Sequence, residues 1–173
     1  MLKKYSKTLI VTTIIILLPM VAGLLLWDKL PEQFITHWGV DGQPDGWAGK
    51  PVAVFGIPLF MLVMQWVCVL VTNADKRNHN QSVKALNMVL WIIPLMSNLT
   101  CGILYALLLG VDFSPFSWMT AAFGVMFMVI GNYMPKTKMN RTMGIKIPWT
   151  YSSEENWTAT HRFAGKVWFI GGV

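Results

Sequence analysis

The stretch TLIVTTIIILLPMVAGLLLW (residues 8–27) carries no charge and follows three lysines, Lys3, Lys4 and Lys7. A helix of about 20 apolar residues spans the roughly 30 Å hydrocarbon core of a bilayer. The run is longer than the apolar region of a typical secretory signal peptide, and no A-x-A-like cleavage site follows it. The stretch therefore predicts a retained first transmembrane helix.

Further uncharged runs of similar length follow at Pro51–Thr72, Ala85–Val111 and Phe113–Pro135. A fifth begins near Ala164 and stops at Val173, so we expect a truncated span there. Lipid offers no partner for backbone N–H and C=O groups, so each span must be helical. The sequence predicts an all-α, polytopic transmembrane helix bundle, with four full spans plus a truncated fifth, as a single membrane domain over residues 1–173.

Composition and charge placement agree with this prediction. Only 13% of the residues are charged and 54% are hydrophobic, whereas soluble domains carry about 25% charged residues. All lysines and arginines except Lys29 and Lys50 fall in segments that share a side with the N-terminus. Because cytoplasmic segments carry the excess of Lys and Arg, the N-terminus is expected in the cytoplasm. The net charge of +6 then reflects topology and contact with anionic lipid, and not binding of nucleic acid.

The loop between the first two spans, residues 28–50, has a net negative charge, and we name it the acidic loop. Its glycines and prolines predict turns, at Asp41-Gly42 and at Pro44-Asp45-Gly46. Its aromatic residues, Trp38 and Trp47 among them, have two interpretations. They form an aromatic belt at the outer membrane surface, or they form a docking surface for a peptide or small amphiphile. Acidic groups beside aromatic rings favour a cationic, apolar partner.

His37 is predicted to be the only histidine on the outer side, where it could bind a metal together with Asp41 or Asp45. One imidazole with a few carboxylates, and without a second spaced histidine, is a weak pattern for a metal site. We therefore predict no metal and no other cofactor.

The second long loop, residues 136–163, is basic, and we name it the basic loop. The segment Met143–Trp149 is expected to be extended, because isoleucine favours strands and Pro148 disfavours a helix just before it. Ser152–Glu155 fits the S-x-x-E capping box of a helix that starts near Ser153. That helix would carry Trp157 and His161 on one face and continue into the fifth span.

Two interpretations of the basic loop stay open. In the first, the helix is an amphipathic lead-in that places Trp157 and Phe163 at the inner membrane surface. In the second, the loop is a binding surface on the cytoplasmic side. That surface would use Asn140, Arg141, Trp149, Trp157 and His161.

The spans themselves contain Gln65, Asn98 and Asn132 as their strongest polar residues. Such amides usually form interhelical hydrogen bonds, although Gln65 and Asn98 facing a lumen would suggest a small transporter. The span interiors lack Asp, Glu, Lys, Arg and His, which counts against a proton-coupled carrier. Pro19, Pro58 and Pro94 fall inside three runs and are expected to kink them.

An enzyme is not expected. His37 and His161 are predicted on opposite sides of the membrane, so they cannot share a site. The sequence contains no HExxH, Walker or GxSxG motif.

Two groups of residues resemble a known family. The acidic loop resembles the DUF1648 pattern in Leu30-Pro31, Thr36–Gly39, Asp41–Trp47 and Lys50-Pro51. The region 131–173 resembles the signature of the SdpI family of bacterial immunity proteins, and the two motifs occur in that family's order. The matching residues there are Gly131-Asn132, Met134-Pro135, Asn140, Gly144–Thr150, Trp157, Thr160–Arg162 and Gly165.

The resemblance implies a six-span plasma-membrane protein of Gram-positive-type bacteria that protects its producer from an SdpC-like secreted toxin. It also implies capture of a cytoplasmic transcriptional repressor at the membrane, which would report the toxin to transcription. This sequence departs from the family pattern by ending about one and a half helices early. It also has Lys146 at a position where arginine is common, which keeps the charge.

The resulting hypothesis places toxin contacts in the acidic loop, at His37, Trp38, Asp41, Asp45 and Trp47. Contacts with the cytoplasmic partner are placed in the basic loop and the helix after it. These residues are Asn140, Arg141, Gly144, Pro148, Trp149, Trp157, His161 and Arg162. A small membrane transporter or channel-like protein is the alternative.

Overall fold

The computed structural model describes residues 3–112 and 114–173 and shows a bundle of α-helices with one small sheet. A two-stranded antiparallel sheet, β1 and β2, lies between α1 and α2. The bounds are α1 Ser6–Leu25, β1 Gln33–Trp38, β2 Pro44–Gly49, α2 Ile57–Ala74, α3 Val83–Leu108, α4 Pro115–Tyr133 and α5 Glu154–Gly171.

Four helical segments of the described chain are long and apolar enough to cross a membrane: Ser6–Leu25, Val52–Ala74, Val83–Leu108 and Phe116–Lys136. The predicted helical bundle with four full spans is confirmed. The predicted start of the fourth span at Phe113 lies outside the described residues. A fifth helix, α5, begins after the N-cap Ser153, whose hydroxyl accepts the N–H of Asn156 at 3.0 Å.

Pro19 leaves a gap in the hydrogen bonds of α1, and α3 fills it. A proline has no N–H, so the carbonyl of Ile15, four residues earlier, lacks its helical donor. The side-chain Nδ2 of Asn98 on α3 donates to this carbonyl at 2.7 Å. Tyr105, also on α3, donates its hydroxyl to the carbonyl of Pro19 itself at 3.0 Å. Asn98 therefore replaces the donor that the proline removes, and Tyr105 adds a second hydrogen bond between the two helices.

The same arrangement recurs between α2 and α3. Pro94 lies inside α3 and leaves the carbonyl of Leu90 without a helical donor. Gln65 on α2 is 2% exposed, and its Nε2 donates to that carbonyl at 3.0 Å. Gln65 and Asn98 thus both bond backbone carbonyls of neighbouring helices, as expected of interhelical amides.

Pro58 and Asn132 have different surroundings. Pro58 directly follows the π-helical turn Val52–Gly56, inside the continuous helical segment Val52–Ala74. Such a turn is a local irregularity of the kind that accompanies prolines inside membrane helices. Asn132 is exposed on α4, so its amide is not buried between helices as those of Gln65 and Asn98 are.

Helices α4 and α5 meet through glycines. A Cβ atom placed on Gly131 would lie 2.7 Å from the carbonyl oxygen of Gly165, and one on Gly165 would lie 2.7 Å from that of Gly131. A Cβ on Gly124 would lie 2.7 Å from the carbonyl oxygen of Gly172. The two glycines that each helix contributes are seven residues, or about two turns, apart, so they lie on the same face of that helix. The two backbones are therefore in direct contact, which small residues permit in membranes.

The acidic and basic loops lie at opposite ends of α3. Phe34 of the acidic loop packs edge-on against Tyr105 near the C-terminal end of α3. Met143 and Gly144 of the basic loop line a cavity with Ala85 near the N-terminal end. α3 contains 26 residues, which corresponds to about 39 Å. The fold thus separates the two loops by the length of a membrane span.

Candidate functional site

The acidic loop folds as a β-hairpin, which its sequence did not predict. The predicted turn at Asp41-Gly42 is present: Gly42 has φ +76°, and the Asp41 carboxylate accepts the N–H of Gln43 at 3.1 Å. The second predicted turn, at Pro44–Gly46, is wrong because these residues form the start of β2. Proline is accepted at the first residue of a strand, where its missing N–H need not break the ladder.

One side of the hairpin packs onto the bundle. Phe34 is fully buried, and its ring centroid lies 6.2 Å from that of Tyr105 at an interplanar angle of 82°. Trp38 is half-buried and packs against the same apolar cluster, which includes Leu30 and Ala53. Burial of these aromatic rings holds the hairpin against the ends of the helices.

Lys50 joins the base of the hairpin to the end of α1. Its side chain is buried, and Nζ lies 3.1 Å from the carbonyl oxygen of Trp27 and 2.9 Å from a carboxylate oxygen of Glu32. The same ammonium lies 5.2 Å from the centroid of the Trp27 ring. Lys50 is therefore a structural cation with three partners, as a buried charge requires.

The other side of the hairpin is open. His37 Nδ1 pairs with the Asp45 carboxylate, and both side chains are exposed. Asp41 is exposed near the tip, and Trp47 is 57% exposed. Four of the five residues expected to contact a toxin thus form one exposed group, whereas Trp38 faces the bundle. Within residues 3–112 and 114–173, no three His, Cys, Asp or Glu side chains converge as metal ligands would.

The basic loop is fixed by amides from the short connection between α2 and α3. Gln81 and Lys138 form a reciprocal pair, in which Nε2 donates to the Lys138 carbonyl at 2.6 Å and Oε1 accepts the Lys138 N–H at 2.9 Å. Asn78 is fully buried and donates to Thr142 Oγ1 at 2.7 Å and to the Thr72 carbonyl at 2.8 Å. Buried amides with satisfied donors rigidify the segments that they join.

Two further side chains shape the start of the loop. The Oδ1 of buried Asn140 accepts the N–H groups of Thr142 and Met143 at 2.8 and 2.6 Å. Asp75 accepts the N–H of Arg141 at 2.7 Å. Burial raises the pKa of Asp75, but the N–H groups and charges of Arg141 and Arg77 outweigh it and hold this pKa below its usual value.

Trp157 and His161 form the core under the loop. Their ring centroids are 4.1 Å apart in a stacked geometry, and both side chains are almost fully buried. Trp157 Nε1 donates to the Thr137 carbonyl at 2.8 Å. His161 Nε2 accepts the N–H of Ile145 at 3.0 Å, while Nδ1 lies 2.7 Å from the Trp157 carbonyl oxygen. These partners require a neutral ring with its proton on Nδ1.

Gly144 makes this arrangement possible. Its φ of +98° lies in the region that favours glycine, and any Cβ there would collide with His161 Nε2. The segment that follows is irregular up to Ile147, which is extended as expected. Pro148–Tyr151 then forms a 3-10 turn in place of the expected extended chain, and buried Thr150 stabilises it by accepting the N–H of Ile147 at 3.1 Å.

The residues expected to contact a cytoplasmic partner thus divide into two groups. Asn140, Trp157 and His161 are buried and hold the loop in shape, so they offer no contact surface. The other five are exposed, with Trp149 at 61%: Arg141, Gly144, Pro148, Trp149 and Arg162. Sequence reasoning missed Asp75, Asn78, Gln81 and Thr150. The amide-rich run 78–81 between two spans was the signal that could have indicated Asn78 and Gln81.

Two known sequence families match this chain at its two structured loops. Residues 14–62 match DUF1648, a domain of unknown function, and residues 136–173 match the SdpI/YfhL protein family. The chain is also 26% identical over 167 residues to the immunity protein SdpI of Bacillus subtilis (strain 168). That match covers 96% of this chain and 78% of the relative. The chain is thus similar to the SdpI/YfhL family in its C-terminal region and to SdpI along most of its length.

The DUF1648 match includes the whole β-hairpin, and the SdpI/YfhL match includes the basic loop and α5. No solved structure matches the chain. The similarity to SdpI and the four long apolar helices support a multi-pass membrane protein.

Proposed function

We propose that this chain is a non-enzymatic immunity protein of the bacterial plasma membrane, which protects its producer from an SdpC-like secreted peptide or protein toxin. The main support is similarity to a relative named an immunity protein over 96% of the chain. The two family matches fall on two structured loops. The proposal needs no catalytic group, and His37 and His161 lie at opposite ends of the bundle.

The proposal places the N-terminus in the cytoplasm. The distribution of Lys and Arg supports this orientation. The acidic loop then faces the outside, where a secreted toxin arrives, and the basic loop faces the cytoplasm. The separation of the two loops along α3 fits this division of roles.

The exposed side of the hairpin is the proposed encounter surface for the toxin. It combines carboxylates, from Asp41 and Asp45, with the exposed indole of Trp47 and the His37 ring. Such a surface attracts a cationic peptide and gives its apolar side chains an aromatic contact. Trp38 contributes by holding the hairpin in place.

The basic loop is the proposed capture surface for a cytoplasmic transcriptional repressor when toxin is bound. Arg141, Trp149 and Arg162 are exposed, and arginine and tryptophan are enriched in protein interfaces. The same face contacts anionic lipid headgroups. Direct contact with nucleic acid is not part of the proposal.

The test is a challenge of a sensitive host with the SdpC toxin. Cells that express the intact chain should survive, whereas cells with an empty vector should not. Replacing Asp41 and Asp45 together with Asn should reduce the tolerated toxin concentration about tenfold, and the matched control Asp28→Asn should not. Equal sensitivity of expressing and non-expressing cells would overturn the immunity function. Repressor capture is tested separately, by isolating the protein from membranes with and without SdpC and identifying what accompanies it.

A further inference from the structure

A long groove with a volume of about 780 Å³ runs between α3 and α4. Its walls extend from Lys84 to Leu99 on α3 and from Trp118 to Tyr133 on α4, about 22 Å in each case. Leu95 lines the groove and is 61% exposed, so the groove is open along the side of the bundle. In a membrane this side faces the bilayer, so lipids are the molecules that meet the groove first.

The two ends of the groove differ in charge. Lys84 is the one charged side chain among the described residues that line the groove, and it lies at the end beside the basic loop. Tyr133 lines the same end of the opposite wall, and the Lys136 ammonium lies 4.6 Å from the centroid of its ring. Each wall thus brings an ammonium to this end. The wall residues at the other end, Leu99 and Trp118, carry no charge.

The beginning of α3 adds to the positive charge at this end. Lys84 is the second residue of α3, so it lies at the positive end of the helix dipole. Lys84 and Lys136 are both exposed, so their ammoniums are accessible to a headgroup. Basic pockets between membrane helices on the cytoplasmic side bind anionic lipid headgroups. The charge at this end of the groove therefore complements a phosphate ester.

The groove also has a branch beneath the basic loop. A second cavity of about 180 Å³ shares Met88, Ile92 and Ile130 with the groove, and Met143 and Gly144 form part of its wall. The shared residues are apolar, and Met88 and Ile92 lie about one and two helical turns from Lys84. A forked apolar space next to two cations matches the two acyl chains and the charged headgroup of a phospholipid.

We infer that the groove between α3 and α4 is a binding site for an anionic phospholipid from the leaflet on the side of the basic loop. Its phosphate lies between the ammoniums of Lys84 and Lys136. One acyl chain follows the groove, and the other enters the branch beneath Met143 and Gly144, where it supports the basic loop. This site is independent of the immunity function and is tested without a toxin.

Headgroup selectivity is measured by thermal unfolding of the full-length protein in detergent. Dioleoylphosphatidylglycerol should raise the midpoint temperature, and dioleoylphosphatidylcholine, which has the same chains but no net charge, should raise it much less. In Lys84→Gln/Lys136→Gln the two lipids should act alike. The matched control Lys4→Gln/Lys7→Gln removes two exposed cations from the same end of the bundle, outside the groove, and should keep the selectivity.

The position of the lipid is measured by photocrosslinking in vesicles that contain equal amounts of the two lipids. Benzoylphenylalanine in place of Met88 should crosslink phosphatidylglycerol over phosphatidylcholine at least about fivefold, which is the preference that one lysine near the surface provides. The same probe in place of the exposed Leu70 on α2, outside the groove, should reflect the vesicle composition. The two positions lie at similar distances from the ends of their helices.

Four results would overturn the inference: equal stabilisation of the unaltered protein by both lipids, equal loss of selectivity in the two double variants, stabilisation by inorganic phosphate alone, and crosslinking of position 88 without lipid preference or to a second copy of the chain. If Lys84→Gln/Lys136→Gln does not fold, crosslinking at position 88 decides the question, because that experiment keeps both lysines.

Discussion

Asn98 donates its side-chain amide to the carbonyl oxygen of Ile15 across 2.7 Å, at the position where Pro19 has removed the helical donor. The proline and the amide therefore act as a pair, although they lie on different helices. An unpaired carbonyl in the hydrocarbon region is costly, because no water is present to replace the missing donor.

We expect Asn98→Leu to destabilise the bundle by about 0.5–2 kcal/mol, because the Ile15 carbonyl loses its donor. Pro19→Ala returns an N–H to α1, so the same leucine substitution should cost less in that background. The double-mutant cycle is measured by unfolding in detergent. The exposed Asn132→Leu is the control and should be nearly neutral. Equal costs of Asn98→Leu in both backgrounds would contradict the pairing.

The glycine contact between α4 and α5 predicts a strong dependence on side-chain size. Gly131→Leu should force the two backbones apart and destabilise the protein by about 1–3 kcal/mol or more, as overpacking does. Thermal unfolding in detergent measures the loss. Gly102→Leu is the matched control on α3, where an added Cβ meets no atom within 4 Å. A loss of the same size in both variants would argue against a specific α4–α5 contact.

Acidification should loosen the basic loop. Burial lowers the pKa of His161 below its ordinary value of 6.5, although the hydrogen bond to the Trp157 carbonyl acts in the opposite direction. Below pH 6.5, the His161 ring therefore binds a proton when the loop is unfolded, whereas it stays neutral while it is packed in the folded loop. Stability of the loop is complete above this pH and falls as the pH drops through 6.5 toward the lower folded pKa.

Hydrogen exchange at Ile145, corrected for the intrinsic effect of pH, measures this change. Exchange should accelerate as the pH falls below 6.5 in the unaltered protein. His161→Gln keeps an acceptor for the Ile145 N–H but cannot titrate in this range, so its exchange should be independent of pH. The same pH dependence in both proteins would assign the effect to another group.

The proposed orientation is tested by labelling cysteines in whole cells with a membrane-impermeant thiol reagent. In a background without Cys68 and Cys101, a cysteine in place of the exposed Gln43 should react. A cysteine in place of the exposed Ser152 should react only after the cells are opened. Labelling in the reverse pattern would exchange the toxin-facing and partner-facing loops.

The membrane spans could be predicted from the sequence because their cause is local. An uncharged run such as residues 8–27 needs only sufficient length to favour a helix in lipid. The start of α5 was equally local, since Ser153 provides the N-cap within its own segment.

The hairpin and the amide contacts could not be predicted because their causes are distant in sequence. The β2 segment PDGWAG has little strand propensity, and the hairpin is held by packing of Phe34 on Tyr105. Similarly, Asn78 and Gln81 bond to the basic loop some sixty residues later. To predict that Gln65 bonds the carbonyl left free by Pro94, one must know how α2 and α3 are aligned along each other. The composition of the two helices does not give this alignment.

The position of Lys50 also affects how the hairpin interacts at long range. Its ammonium lies at the base of the loop beside the Trp27 carbonyl and the Glu32 carboxylate, whereas Asp41 and Asp45 are exposed farther along the hairpin. The charges of Lys50 and Glu32 cancel, so the negative field of the loop arises from Asp41 and Asp45. A cationic peptide would be steered toward it by diffusion in this field, and added salt should slow its arrival far more than its departure.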